Sequence, residues 1–163
     1  MFTDVRTERA RAAFPTALAS GEATVRVRYE ETDRAGVGYH ANTFVWFECA
    51  RTELLRDLGL PYRKLEEDGW LLTVRGVSAE YRRSVYYDEC LSVRCGIVSV
   101  RGARMRIEYA IYGEDETLRT TGHTDLACLH TETGRPRRLP DFMLARLGVT
   151  ESLATEKRGV DVV

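Results

Sequence analysis

The chain has 163 residues, 24 basic and 25 acidic side chains, and a formal net charge of −1. With 44% hydrophobic and 30% charged residues it reads as one folded domain, which sets aside disorder, collagen and coiled coil. The balanced charge excludes a bulk electrostatic grip on nucleic acid, and no run approaches the ~18 apolar residues of a membrane span.

The first twenty residues carry Asp4, Arg6, Glu8, Arg9 and Arg11 and lack the apolar stretch of a secretory signal, so the expected location is cytoplasmic. Residues 1–21 read as a mobile arm or short helix. Residues 23–29 alternate as a strand, with Val25, Val27 and Tyr29 on one face. A charged loop with Gly36 and Gly38 follows. Residues 41–58 read as a helix stopped by Gly59 and Pro61. Its first half is apolar nearly all round, which predicts burial on most sides. Residues 62–68 add a short helix. Long strands are expected at 70–83, 89–101, 104–113 and 117–130, with turns at Gly102 and 113–116. A polar loop at 131–139 leads to a short helix at 140–147 and a polar tail. Strand, buried helix, then four long strands is an α+β pattern, with an antiparallel sheet curved around one helix. The domain is expected to span 22–148, between the arm and a tail at 149–163.

Cys49, Cys90, Cys95 and Cys128 show no C-x-x-C spacing, and reduced thiols fit them best. Only Lys64 and Lys157 are lysines; the other 22 basic residues are arginines. Most are expected to solvate the outer sheet face, with Arg82-Arg83 and Arg135–Arg138 as candidate phosphate clamps. His123 and His130 lie seven apart in a predicted strand, so they face opposite sides and make no metal pair. Phosphate-loop, dinucleotide and Gly-x-Ser-x-Gly patterns are absent.

The densest polar stretch, 29–42, joins the first strand to the start of the apolar helix. A helix N-terminus offers unpaired N–H groups and a partial positive charge, which can hold the oxyanion formed when a carbonyl is attacked. Asp33 is the candidate base or nucleophile; its alternative is a surface turn carboxylate paired with Arg34. His40 orients substrate or donates a proton, or else caps the helix. Glu48, in the apolar helix half, needs a partner, and Arg51 three residues on would supply it.

The pattern Tyr29-x-x-x-Asp33-x-x-Gly36-Val37-x-Tyr39-His40-Ala41-Asn42, followed by Trp46-Phe47-Glu48-x-Ala50-Arg51, resembles the 4-hydroxybenzoyl-CoA thioesterase family of hotdog-fold enzymes, in particular its YbgC-like acyl-CoA thioesterase branch. Thr121-Gly122-His123-Thr124 and Gly134-Arg135-Pro136-Arg137-Arg138-Leu139-Pro140 resemble it too, and the likeness runs from about 23 to 147. The resemblance implies a hotdog fold, a homodimer or a homotetramer built as a dimer of dimers, and active sites at the subunit interface. It gives Asp33 the catalytic role, with Tyr29 and His40 beside it. It implies a thioester carbonyl held by backbone N–H groups around Tyr39 to Ala41. Asn42 stands at the helix start beside them, and the candidate clamp Arg82 and Arg83 would meet the phosphates. The substrate would be an acyl-CoA or an acyl-carrier-protein thioester, with no metal or cofactor. Thr43 and Gly38 depart from the family pattern, in positions that line the approach to the site. Two other readings compete. One is a hotdog dehydratase or hydratase, with Glu48 as its acid. The other is a non-catalytic acyl-CoA-binding or carrier-binding module.

Overall fold

The structure, a computed structural model, describes residues 5–149, so nearly all of the expected tail lies outside the described residues. Helix α1 (Val5–Ala13) leads into β1 (Ala19–Arg26), and a 3-10 turn (Tyr29–Glu31) leads to the central helix α2 (Asn42–Asp57). Helix α3 (Tyr62–Glu67), strands β2 (Trp70–Tyr81), β3 (Cys90–Arg101), β4 (Arg104–Tyr112) and β5 (Leu118–His130), and helix α4 (Asp141–Arg146) complete the chain. The five strands form one sheet in the order β1-β3-β4-β5-β2, antiparallel throughout. This is the α+β arrangement that the element order implied, and it has the form of the hotdog fold that the resemblance implied. The edge strands are β1 and β2.

One face of the sheet wraps α2. Alternation along β3 and β4 turns Leu91, Val93, Cys95 and Ile97, then Met105, Ile107, Tyr109 and Ile111, into the core. Phe47 of α2 stacks on Tyr109, with ring centroids 4.2 Å apart and planes at 10°. Trp46, Ala50, Leu54 and Leu55 complete the buried stripe of the helix.

The structure corrects three sequence expectations. The first strand begins at Ala19 and ends at Arg26, not at 23 and 29. Val27 still pairs with the chain at 88–89, but the 3-10 turn then carries Tyr29 out to 78% exposure, so it does not share the buried face of Val27. The polar run Ser20-Gly21-Glu22 belongs to the strand because Glu22 turns to the outer face and finds cationic partners there.

The central helix is not covered all round: Val45, Glu48 and Cys49 are exposed. Glu48 therefore needs no buried partner. Arg51 is the buried member, 4.0 Å from Glu48, and its guanidinium donates instead to the hydroxyls of Tyr62 and Tyr109 at 2.9 and 3.4 Å.

The N-terminal segment is not a free arm over its described part. Helix α1 lies on the outer face over β1 and β3, and Phe14 packs so close to Gly96 that a Cβ there would meet its ring carbon at 2.9 Å. All four cysteines are free thiols.

Candidate active site

The loop from 32 to 40 is built as a small closed hairpin. Thr32 bridges Gly38, and the Asp33 N–H donates to Val37 O at 2.8 Å. The Asp33 carbonyl accepts from Gly36 N–H at 2.9 Å, and its Oδ1 accepts from Ala35 N–H at 2.8 Å. An aspartate that accepts from the amide two residues on makes its own turn, and Gly36 at φ +78° supplies the left-handed residue that the turn needs. The Asp33 carboxylate remains exposed, with Oδ2 uncommitted among the described residues. No ion pair forms between Asp33 and Arg34.

Glu31 anchors the loop. Its carboxylate is buried and accepts from the Arg28 amide at 2.8 Å, the Arg28 guanidinium at 3.1 Å and Trp46 Nε1 at 3.2 Å. Burial pushes this carboxyl up, but those donors outweigh it and hold Glu31 below its ordinary range. Its carbonyl accepts from Tyr39 N–H at 2.8 Å and from Asn42 Nδ2 at 2.9 Å. Asn42 thus ties the helix start to the loop, and its side chain is committed. The Tyr39 amide is also engaged.

At the start of α2, Asn42, Thr43 and Phe44 donate back to the carbonyls of Tyr39, His40 and Ala41 at 2.9, 3.3 and 3.2 Å. The N–H groups of His40 and Ala41 have no hydrogen-bond acceptor among the described residues. These are the amides a carbonyl oxygen could use. Tyr81 Oη donates to His40 O at 2.9 Å, which fixes the end of β2 against the helix start. The His40 ring lies edge-on to Tyr39 with centroids 4.4 Å apart.

A cavity of about 310 Å³ opens at this point. Asp33 and His40 line it from the loop, Thr43 and Trp46 from α2, and Tyr81, Arg82 and Arg83 from the end of β2. The amides of Arg82 and Arg83 both donate to Arg119 O, at 2.8 and 3.1 Å, which draws this segment over β5. The Arg82 guanidinium pairs with Glu80 at 3.0 Å. Gly38 and Thr43 both line the cavity, and a Cβ on Gly38 would lie 2.5 Å from Val85 Cγ2 and 3.2 Å from Trp46. The small residue is required by that close approach.

Of the sequence candidates, Asp33, His40, Arg82 and Arg83 meet at the cavity, while the others do not line it. Tyr29 points away, with its ring edge-on to Tyr87 at 5.7 Å. Glu48 is exposed and outside it, so the helix-acid arrangement of a dehydratase is not formed here. Arg137 is committed to the Trp70 ring at 3.5 Å, and Arg138 stands 3.8 Å from Asp141. Sequence reading missed Tyr81, Trp46 and Thr120 as lining residues. Tyr81 could have been found from its place beside Arg82-Arg83 on an alternating strand. No group of three metal-ligating side chains occurs among the described residues.

Residues 27–147 match the profile of the thioesterase-like superfamily. YneP of Bacillus subtilis is 33% identical over 125 residues, which cover 74% of this chain and 91% of that protein. The acyl-CoA thioester hydrolase YbgC of Escherichia coli O6:H1 is 32% identical over 121 residues, covering 74% of this chain and 90% of YbgC. Among solved structures, the DHNA-CoA thioesterase of Staphylococcus aureus superposes with a TM-score of 0.74 at 33% identity, covering 77% of this chain and 87% of that one. The wrapped sheet, the helix-start cavity and this match over most of the chain place the protein in the thioesterase-like superfamily, with its hotdog fold.

Proposed function

We propose that the protein hydrolyses acyl-CoA thioesters to the free acid and CoA. The observation that carries this reading is that Asp33 and His40 line one cavity at the start of α2, where the His40 and Ala41 amides have no acceptor among the described residues. The thioester carbonyl oxygen sits at those amides, where the helix dipole stabilises the negative charge that develops on attack. Asp33 attacks the carbonyl to form a mixed anhydride, or takes a proton from the attacking water. Either route releases the CoA thiol and needs only water as co-reactant. His40 positions the thioester. Arg82 and Arg83, at the cavity mouth, meet the phosphates.

The working unit is a homodimer joined along β2, with a homotetramer formed by pairing dimers. Strand β2 has twelve residues, one unpaired edge, and Val74 and Val77 exposed at 47% and 43%. An edge of that length is a template for another strand. A partner seated there would wall the cavity at Tyr81–Val85, and the role proposed for Tyr29 belongs to that assembled site. No helix among the described residues is long and apolar enough to cross a membrane. The free thiols support a cytoplasmic setting.

A thiol-release assay over a panel of acyl-CoAs and acyl-carrier-protein thioesters tests the reading, run with Asp33→Ala and Asp33→Asn. Loss of hydrolysis with acyl-CoA binding retained supports it. Undiminished turnover in both variants removes Asp33 from the chemistry. Binding without hydrolysis by the wild type would favour a non-catalytic acyl-CoA-binding module.

A further inference from the structure

On the face of the sheet turned away from α2, four arginines surround one depression. Met105 and Ile107 of β4 are buried in the core, so Arg104 and Arg106 stand on the opposite, open face. Strand register builds one row across the sheet. Gly76 of β2 pairs with Asp125 of β5, Asp125 with Arg106 of β4, and Arg106 with Ser99 of β3. Toward the β3–β4 turn, Arg101 lies directly opposite Arg104. The register of β2 shifts between Val74 and Gly76, which makes Arg75 the extra residue of an irregularity, and such bulges re-aim side chains. Arg75, Ser99, Arg101, Arg104, Arg106 and Asp125 line a volume of about 390 Å³.

Asp125 is already spent, because its two oxygens accept from the Arg106 guanidinium at 2.7 and 2.8 Å. That pair also fixes the orientation of Arg106. The Arg101 and Arg104 side chains have no hydrogen bond or ion pair among the described residues, and Arg75 feels Asp125 only through its field. Like charges placed directly opposite repel. A chain of net charge −1 thus holds four guanidiniums against one carboxylate in a single depression.

We infer that this depression binds a small molecule carrying a diphosphate, of the size of a nucleoside diphosphate. Guanidinium forks pair bidentately with phosphate oxygens, and the charge of three uncommitted forks matches the roughly −3 of a nucleoside diphosphate better than the about −1.5 to −2 of a single phosphate monoester. The volume lies within the range of small-ligand sites. No aromatic side chain lines it, so recognition rests on the diphosphate and not on a stacked base. The inference is independent of the thioesterase reading, since none of these residues lines the Asp33 cavity.

Titration calorimetry of the full chain with inorganic pyrophosphate, ADP and GDP at low salt tests it. The three probes should bind with similar affinities that fall as salt rises. The double variant Arg101→Gln/Arg104→Gln should weaken each by at least about tenfold, at an unchanged melting temperature, because both side chains are exposed. Arg82→Gln/Arg83→Gln, which alters the arginines of the Asp33 cavity, is the comparison variant and should keep the binding that the Arg101/Arg104 variant loses. The inference is overturned if no probe binds up to about 1 mM, if the Arg101/Arg104 variant binds normally, or if only the Arg82/Arg83 variant loses binding. Tighter binding of single-stranded RNA than of pyrophosphate would also overturn it.

Discussion

Arg9 of helix α1 donates to Glu22 of β1 at 2.7 Å, and the Glu22 side chain is fully buried. Arg94 stands on the other side of Glu22 at 3.4 Å, and Arg9 and Arg94 both also pair with Glu116. The first helix, which lies outside the family match, is thereby locked to the outer sheet face by a charge network.

Removing one member of that network should be costly. Arg9→Ala should lower stability by about 1–3 kcal/mol, because Glu22 keeps only the longer contact to Arg94. Arg94→Ala should cost about 3–5 kcal/mol, since it strips a buried carboxylate of its cross-strand partner. Urea denaturation of the two variants measures both. Equal stability of wild type and Arg9→Ala would show that α1 is not held through this pair.

Asp33 is exposed and an asparagine Oδ1 can still accept from Ala35 N–H, so Asp33→Asn should leave the fold in place while activity falls about 10²–10⁴-fold. Steady-state thiol release together with a melting curve checks this. A large fall in melting temperature would assign Asp33 to the loop and not to the chemistry.

Glu31 should make stability depend on pH. Its carboxyl lies below the ordinary 4.5, through hydrogen bonds from Arg28 and Trp46 that outweigh the effect of burial. A depressed carboxylate adds stability that is complete above its unfolded pKa and is lost as pH falls through the folded value. Glu31→Gln should therefore cost about 1–3 kcal/mol at pH 7, and the difference from wild type should shrink below about pH 4.5. Denaturation midpoints of both proteins from pH 3 to 7, about the range that spans this titration, provide the measurement.

Gly38→Ala should cost about 1–3 kcal/mol, because its Cβ would meet Val85 Cγ2 at 2.5 Å and a valine has little freedom at χ1. Val85→Ala should relieve that cost, giving a positive coupling in the double-mutant cycle. The same pair should change acyl-chain preference, since both residues line the cavity. Additive effects on stability would disprove the contact.

Much of the fold was legible because its signals are local. Gly59 and Pro61 mark the end of α2, and the alternation of Met105, Ile107, Tyr109 and Ile111 marks β4. Asp33 and His40 could be read together because they lie seven positions apart within one loop. Glu31 was hidden among three acidic residues, and its burial, with bonds from the Arg28 amide and Trp46, distinguishes it from Glu30. Glu48 and Arg51 exchanged their expected environments because the helix period told which residues share a side, not which side meets the sheet.

By itself, the sequence determined the order and bounds of most elements, the α+β class and the motif shared with its relatives. These rest on periodicity, turn residues and a contiguous loop, which neighbours along the chain set. Only the tertiary structure decided that Tyr29 leaves the cavity, that Arg82 and Arg83 reach it over Arg119, and that Glu22 is buried between Arg9 and Arg94. It also decided that Arg75, Arg101, Arg104 and Arg106 share one depression. Each of these depends on strand register between segments far apart in sequence, where one residue of slip turns a side chain to the other face.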